Sequence, residues 1–411
     1  MKMYKILLVL SINITIAQNI STLNVGHVKE KNYHHTFDFE NIKDKIIIDV
    51  LINNKIRKFI LDTGAPTSIS KKIATELNYK VIDSLLMGDA NSKTGYLNVV
   101  QIPQFSINGL SFFNTYAIEK PEIKFLECFG VEGIIGSNSL RNSVVDFDFK
   151  NKKITISSDF KNFNYKGLKG HKLFFKDQQS TPILEIKMKL GYVNYNEELI
   201  FDTGDDSFYS IATSNLTQIK KFVDQKKIPK ELQNKNLTDL LGIIASSNGS
   251  FSFSFFGNDD ENAYYKFKIQ NFVFGNSLFN NLIATTTYGS NSRIGAEILN
   301  HGKLTLDYIK KKYYFKPYEN TKEIDVNHKY FGFYPTVINN KFLVGIVWDE
   351  KIKNVLKTGD EILKINTIDF SSLSVCEIMK KSFKDFEDDD KLTVTIKQAA
   401  TNEIKVVEIQ N

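Results

Sequence analysis

Two stretches of the chain repeat one another, and the repeat limits the fold to architectures with two like halves. The first stretch holds Gly133-Ile134-Ile135-Gly136 and, 12 positions after Gly136, Asp148 in the run Phe147-Asp148-Phe149-Lys150-Asn151-Lys152-Lys153-Ile154. The second holds Arg293-Ile294-Gly295 and, 12 positions after Gly295, Asp307 in Leu306-Asp307-Tyr308-Ile309-Lys310-Lys311-Lys312-Tyr313. Both landmarks are displaced by 159 residues (295 − 136 = 159; 307 − 148 = 159). A third landmark, Asp-Thr-Gly, stands at Asp62-Thr63-Gly64 and at Asp202-Thr203-Gly204, displaced by 140 (202 − 62 = 140). The second unit thus carries 19 additional residues (159 − 140 = 19) between its landmarks. They are expected in 213–260, which includes a helix-like run (217–232) and a Ser/Asn/Gly/Asp-rich loop (246–262).

Each Asp-Thr-Gly follows an apolar run, Phe59-Ile60-Leu61 or Leu199-Ile200-Phe201. Upstream of the first, Ile46–Ile52 and a turn at Asn53-Asn54 make a hairpin whose second arm delivers Asp62. Upstream of the second, 183–190 alternates with period 2 and 191–198 turns it toward Asp202. Residues 68–78 read as a short helix capped by Ser68. A turn-rich stretch, 87–95, between apolar arms has the pattern of a mobile hairpin lid over a cleft. Phe (32) and Tyr (18) are abundant, which favours strands. A length of 411 residues calls for two or three domains.

The net charge of +6 is spread along the chain in short clusters, without the concentrated basic face that a nucleic-acid surface requires. Lys2 and Lys5 followed by the apolar stretch 6–16, with Thr15 and Ala17 before Gln18, read as an export signal over 1–17. No later stretch reaches the length of a membrane helix, so the expected location is periplasmic, cell-surface or secreted. Cys128 and Cys376 fall in different expected domains and are expected as free thiols. The six His are scattered and no zinc spacing occurs, so neither metal nor cofactor is expected.

Two carboxylates at the ends of buried strands suit one chemistry in particular. Held close together they share a proton: one activates a water and the other polarises a carbonyl. The buried Thr hydroxyls of the two loops need partners, which the symmetry-related loop can supply. Glycine after Asp-Thr lets the chain turn without a Cβ in the way.

On these residues the chain resembles the pepsin/retropepsin-like aspartic proteases of the bacterial two-lobed type that carry a PDZ domain. The resemblance covers roughly 35–317. It implies a mainly β, two-lobed acid-protease barrel fold plus a small α+β PDZ domain. The implied division is 18–156 for the N-terminal lobe, 157–317 for the C-terminal lobe, 318–324 for a linker and 325–411 for the PDZ domain. By the same resemblance Asp62 and Asp202 are the catalytic pair, supported by Thr63, Gly64, Thr203 and Gly204. The strands ending Ile134-Ile135-Gly136 and Ile294-Gly295 pack behind them. The sequence departs from the family pattern at Pro66, at Asp205, which is expected to point to water, and at Arg293. The PDZ resemblance rests on Phe331-Gly332-Phe333, the strand 342–347, the run Gly359-Asp360-Glu361-Ile362-Leu363 and a helix over 373–384. It implies a groove for peptide or protein C-termini. The activity implied is endopeptidase action by a monomer on protein or peptide substrates. The alternative is a weak or inactive pseudo-protease that binds peptides.

Overall fold

The computed structural model describes residues 22–410 except 164, 166, 226–229, 320, 327–330, 382, 387 and 388. The expected export signal lies outside the described residues.

The duplication is visible strand by strand. In the first half, Lys45–Ile52 pairs with Lys55–Asp62, which pairs with Val131–Gly136, then Ser68–Ser70, Leu110–Lys120 and Thr94–Ile107. Thr94–Ile107 returns to Lys45–Ile52 and closes a six-stranded barrel. In the second half, Ile183–Leu190, Val193–Phe201, Arg293–Ile294, Tyr209–Ala212, Leu282–Thr287 and Asn262–Phe274 follow one another in the same way and close on Ile183–Leu190. The sequence of parallel and antiparallel neighbours is identical in the two rings. Closure leaves no exposed barrel edge. The alternation of apolar and polar side chains along each strand fills the interiors, with Phe59, Phe105, Phe201, Phe267 and Phe272 fully buried.

A six-stranded sheet joins the halves in the order His34–Asp38, Lys153–Ser157, Val144–Asp148, Gly302–Asp307, Lys312–Pro317, His171–Phe174. Its centre is the antiparallel pairing of the two repeated hairpins. Asp146 there lies opposite Thr305, and 305 − 146 = 159. Residues equivalent in the repeat are therefore direct partners, and the pseudo-twofold axis passes between them. The Thr305 hydroxyl donates to the buried Asp146 carboxylate at 2.6 Å.

Several local expectations are corrected. Ser70, not Ser68, caps the helix Lys71–Glu76; Ser68 is spent on the strand Ser68–Ser70, which lies between two barrel neighbours. The helix expected over 217–232 starts earlier and runs Thr213–Asp224. The first four residues of the loop expected over 246–262 belong to the strand Ile243–Gly249, because pairing with Asn262–Phe274 overrides their polar composition. The turn expected over 191–198 takes only two residues before Val193–Phe201 begins.

Residues 331–410 build a separate core around Phe331, Val344, Leu356, Ile365, Leu392 and Ile396. Its strands are Phe333–Ile338, Lys341–Val347, Glu361–Ile365, Lys391–Lys397 and Ile404–Gln410. The Gly359-Asp360 run has a structural task here: the buried Asp360 carboxylate accepts from the N–H groups of Lys357 and Ala399, both at 2.9 Å. The helix expected over 373–384 is shorter, Val375–Lys380, with Ser374 and Glu377 forming a capping box. Among the described residues no helix is long and apolar enough to cross a membrane.

The cysteines are not free. Cys128 and Cys376 form a disulfide across 248 residues, with Cα atoms 4.7 Å apart. Their placement in different expected domains argued against this pair. The helix Lys124–Cys128 of the first half packs against Val375–Lys380, and that docking brings the sulfurs together.

Candidate active site

The two Asp-Thr-Gly loops meet on the pseudo-twofold axis. The Thr63 N–H donates to Thr203 Oγ1 and the Thr203 N–H donates to Thr63 Oγ1, both at 3.0 Å. Each hydroxyl in turn donates to the carbonyl that precedes the opposite aspartate: Thr63 to Phe201 at 2.7 Å, Thr203 to Leu61 at 2.8 Å. Both threonines are fully buried, and these four bonds satisfy their hydroxyls and N–H groups. The threonines lock the two halves together directly beneath the carboxylates.

Asp62 Oδ1 accepts from the N–H groups of Gly64 (2.9 Å) and Ala65 (3.1 Å), and Asp202 Oδ1 accepts from Gly204 N–H at 2.9 Å. Each carboxyl group lies against the glycine of the opposite loop, which brings the two aspartates side by side. A Cβ at Gly64 would collide with the Asp202 carboxylate, and one at Gly204 with that of Asp62. Glycine is thus required so that each loop can lie against the other's aspartate. Burial, and then the neighbouring Asp202 charge, push the Asp62 carboxyl well above the usual carboxylate range. A pair of carboxyl groups so placed shares one proton.

Behind the loops, Ile134-Ile135-Gly136 runs parallel to Ile60-Leu61-Asp62, and Arg293-Ile294 runs parallel to Ile200-Phe201. Asp202 N–H donates to Ile294 O at 2.9 Å. Gly136 and Gly295 lie under the backbone of the residues following each Asp-Thr-Gly, where a Cβ has no room. Pro66 lines the cleft, and the residue after it ties the loop to the strand behind: Thr67 Oγ1 accepts from Gly136 N–H at 3.1 Å.

Asp205 does not point to water as expected. Its side chain is 18% exposed, lines the cleft and faces Arg293, with Nε 3.7 Å from Asp205 Oδ2. Arg293 is itself 8% exposed; its Nη1 lies 3.7 Å from Asp202 Oδ2, and its Nη2 donates to Ala90 O at 3.1 Å. Arg293 replaces an apolar residue and Asp205 a small one, and each alone would be a costly burial. Together they form an ion pair. That pairing was available in the sequence, since the two departures have opposite charge and sit at matching points of one half.

The expected lid is present as the hairpin Val81–Gly88 and Thr94–Ile107. Its tip is held down by the aromatic-rich loop of the second half. Ala90 N–H donates to Ser254 Oγ at 3.0 Å, Phe256 N–H donates to Asp89 Oδ2 at 3.0 Å, and Lys93 Nζ donates to Asn258 O at 2.6 Å. Nothing in the composition of 246–262 pointed to this contact. Lys45 was also missed: its ammonium donates to Gly204 O, while on the other side the Gln179 amide donates to Gly64 O at 3.1 Å. Lid, loop, dyad and part of the C-terminal unit line one cavity of about 580 Å³. Lys266 in its wall, 5.0 Å from the Trp348 ring, is pushed down to about 7 by burial.

Among solved structures the chain is similar to a retropepsin-like aspartic protease from Rickettsia conorii. That match has 17% identity and a TM-score of 0.23, and covers 31% of this chain and 95% of that one. It is also similar to Basic 7S globulin from soybean, at 9% identity and a TM-score of 0.37, covering 69% of this chain and 95% of that one. No protein-family model and no curated protein matches the sequence. The fold is mainly β and built on barrels.

Proposed function

We propose that the protein is an exported aspartic endopeptidase that hydrolyses peptide bonds with a water held between Asp62 and Asp202. The observation that carries this reading is the pair of carboxyl groups, brought side by side by two loops that exchange threonine bonds under a closed lid. Asp62 holds the shared proton and donates to the scissile carbonyl oxygen. Asp202, with the Arg293 guanidinium 3.7 Å away, carries the negative charge and takes the proton of the water. As the tetrahedral intermediate collapses, a proton passes to the leaving nitrogen. No covalent intermediate forms. Arg293 favours the anionic dyad and so extends its working range toward acid.

Residues 331–410 act in this reading as a PDZ-like peptide-binding unit beside the cleft. Their strand-and-helix arrangement and the Phe331-Gly332-Phe333 turn support that role; Gly332 there has φ +75°, as a tight turn requires.

The test is hydrolysis of an unfolded protein across acid to neutral pH, with Asp62→Asn and Asp202→Asn as controls. Cleavage abolished by either substitution supports the reading. Cleavage that survives both, or peptide binding without cleavage at any pH, refutes it, and the second outcome identifies a pseudo-protease.

A further inference from the structure

The cavity that contains the dyad does not stop at the barrels. Its wall continues past the aromatic loop of the second half into the C-terminal unit, where Tyr334, Val337, Met379 and Phe383 line it. The two units are fixed relative to one another by independent links. The disulfide ties Cys128 to Cys376. The strand Ile243–Gly249 meets Lys341–Val347 at Gly249 and Ile346, and the Ser250 N–H donates to Gly345 O at 3.0 Å. Tyr264, Ile346 and Trp348 share one apolar cluster. A groove held by a covalent bond, a strand pairing and a shared core keeps a constant distance from the dyad.

The groove has a strand edge to offer. Phe333–Ile338 pairs along one side with Lys341–Val347 through a two-residue turn, Asn339-Asn340. In such a hairpin the pair flanking the turn exchanges hydrogen bonds and the next pair does not. Val337, opposite Phe342, therefore turns its N–H and C=O away from its partner strand and toward the cavity. The outward carbonyl has a side-chain partner: the Asn258 amide donates to Val337 O at 3.2 Å. Asn258 occupies the place that a backbone N–H of an added strand would take. The same loop holds the lid tip, so edge, loop and lid form one continuous wall.

We propose that a single extended polypeptide, the chain being cleaved, occupies both parts of this cavity at once: it adds as a strand to the edge at Val337, replacing the Asn258 amide on Val337 O, while a distant segment crosses Asp62 and Asp202. This rests on the peptidase reading and narrows its substrate class to unfolded polypeptides long enough to reach both places. Backbone pairing supplies affinity with little sequence demand. The apolar wall of Met379 and Phe383 favours hydrophobic side chains in the bound segment. Energy gained far from the scissile bond then improves cleavage of long chains over short ones.

The experiment uses the full-length, disulfide-intact protein. Cleavage sites in reduced, alkylated casein are mapped first. A mapped site is then made as a peptide of about 8 residues and as one of about 16 with its natural extensions, lengths set by the ~3.3 Å rise per residue of an extended chain. Two variants block the groove by unrelated means. Val337→Pro removes the outward N–H at a position where the hairpin does not use it. Met379→Trp fills the apolar wall. The expected result is a kcat/KM at least about tenfold higher for the long peptide. Both variants should erase that advantage, mainly through KM, while the short peptide is cleaved at the parent rate. Equal cleavage of long and short peptides by the parent protein, or an advantage that persists in both variants, overturns the proposal and leaves the peptidase reading standing. Failure of the parent protein to cleave casein overturns the peptidase reading itself.

Discussion

The two halves of the site share their centre and differ one residue away from it. Along the axis the copies agree: Thr63 mirrors Thr203, Gly64 mirrors Gly204, and each threonine makes the same two bonds. Off the axis, Ala65 and Ile134 of the first half correspond to Asp205 and Arg293 of the second. An apolar pair in one half is an ion pair in the other. The carbonyls of the two glycines show a milder form of the same asymmetry, with Gln179 bonded to Gly64 and Lys45 to Gly204. Positions bound to their own symmetry mates cannot change singly without losing two bonds. Positions facing the cleft touch no mate and were free to diverge, and their divergence makes two chemically equal aspartates unequal.

Four experiments would break or sharpen that comparison. The largest effect is expected at the centre: Asp62→Asn and Asp202→Asn should each lower kcat by about a thousandfold or more, in line with loss of a general acid or base. Equal residual activities would argue that the dyad is functionally symmetric in spite of Arg293. Next comes the ion pair. Arg293→Leu leaves Asp205 buried beside two other carboxyl groups and should cost about 2–4 kcal/mol of stability in urea unfolding. The double change Asp205→Ala with Arg293→Ile installs the residues of the first half and should recover most of it. In either variant the acid limb of kcat/KM should move to higher pH, because losing the cation makes the dyad harder to ionise; an unmoved limb would remove Arg293 from the mechanism.

Smaller effects are expected at the threonines. Thr63→Ala and Thr203→Ala should each cost about 1–3 kcal/mol. Because each hydroxyl serves the other's backbone, a double mutant should lose less than the sum. A strictly additive double mutant would contradict the exchanged bonds.

The smallest effect is in pH. Asp62 and Asp205 are both raised, chiefly by burial. Between about pH 4, where such groups titrate in an unfolded chain, and their raised folded values, the native state binds more protons than the unfolded state. Their contribution is fully present below about pH 4 and is lost as pH rises. Stability against urea should therefore fall from acid toward neutral pH, and Asp62→Asn should flatten that slope. A slope of the opposite sign would mean that carboxylates held below their ordinary range, such as Asp148, outweigh these two.

Much of this was legible in the sequence for a definite reason. The 159-residue offset recorded a duplication that survives as two identically connected barrels, and Asp146 facing Thr305 places the axis by arithmetic alone. Alternation located the strand Ile183–Leu190 and apolar runs located the strands leading to each Asp-Thr-Gly, because barrel strands have one buried face. Ser68 and the polar run 246–248 were misread because partners distant in sequence drew them into strands. The Cys128–Cys376 bond was invisible because it depends on how two separately built units dock.

By itself the sequence determined that two similar halves would each present an aspartate on a tight turn, since repeat spacing and local pattern are properties of the chain. Only the tertiary structure decided that Asp205 turns inward to Arg293, that the lid rests on the loop 252–258, and that the dyad's cavity opens into the C-terminal groove. Each of these depends on residues between 79 and 248 positions apart meeting across an interface. Composition and periodicity record which face a residue buries, but carry no information on which partner it meets there.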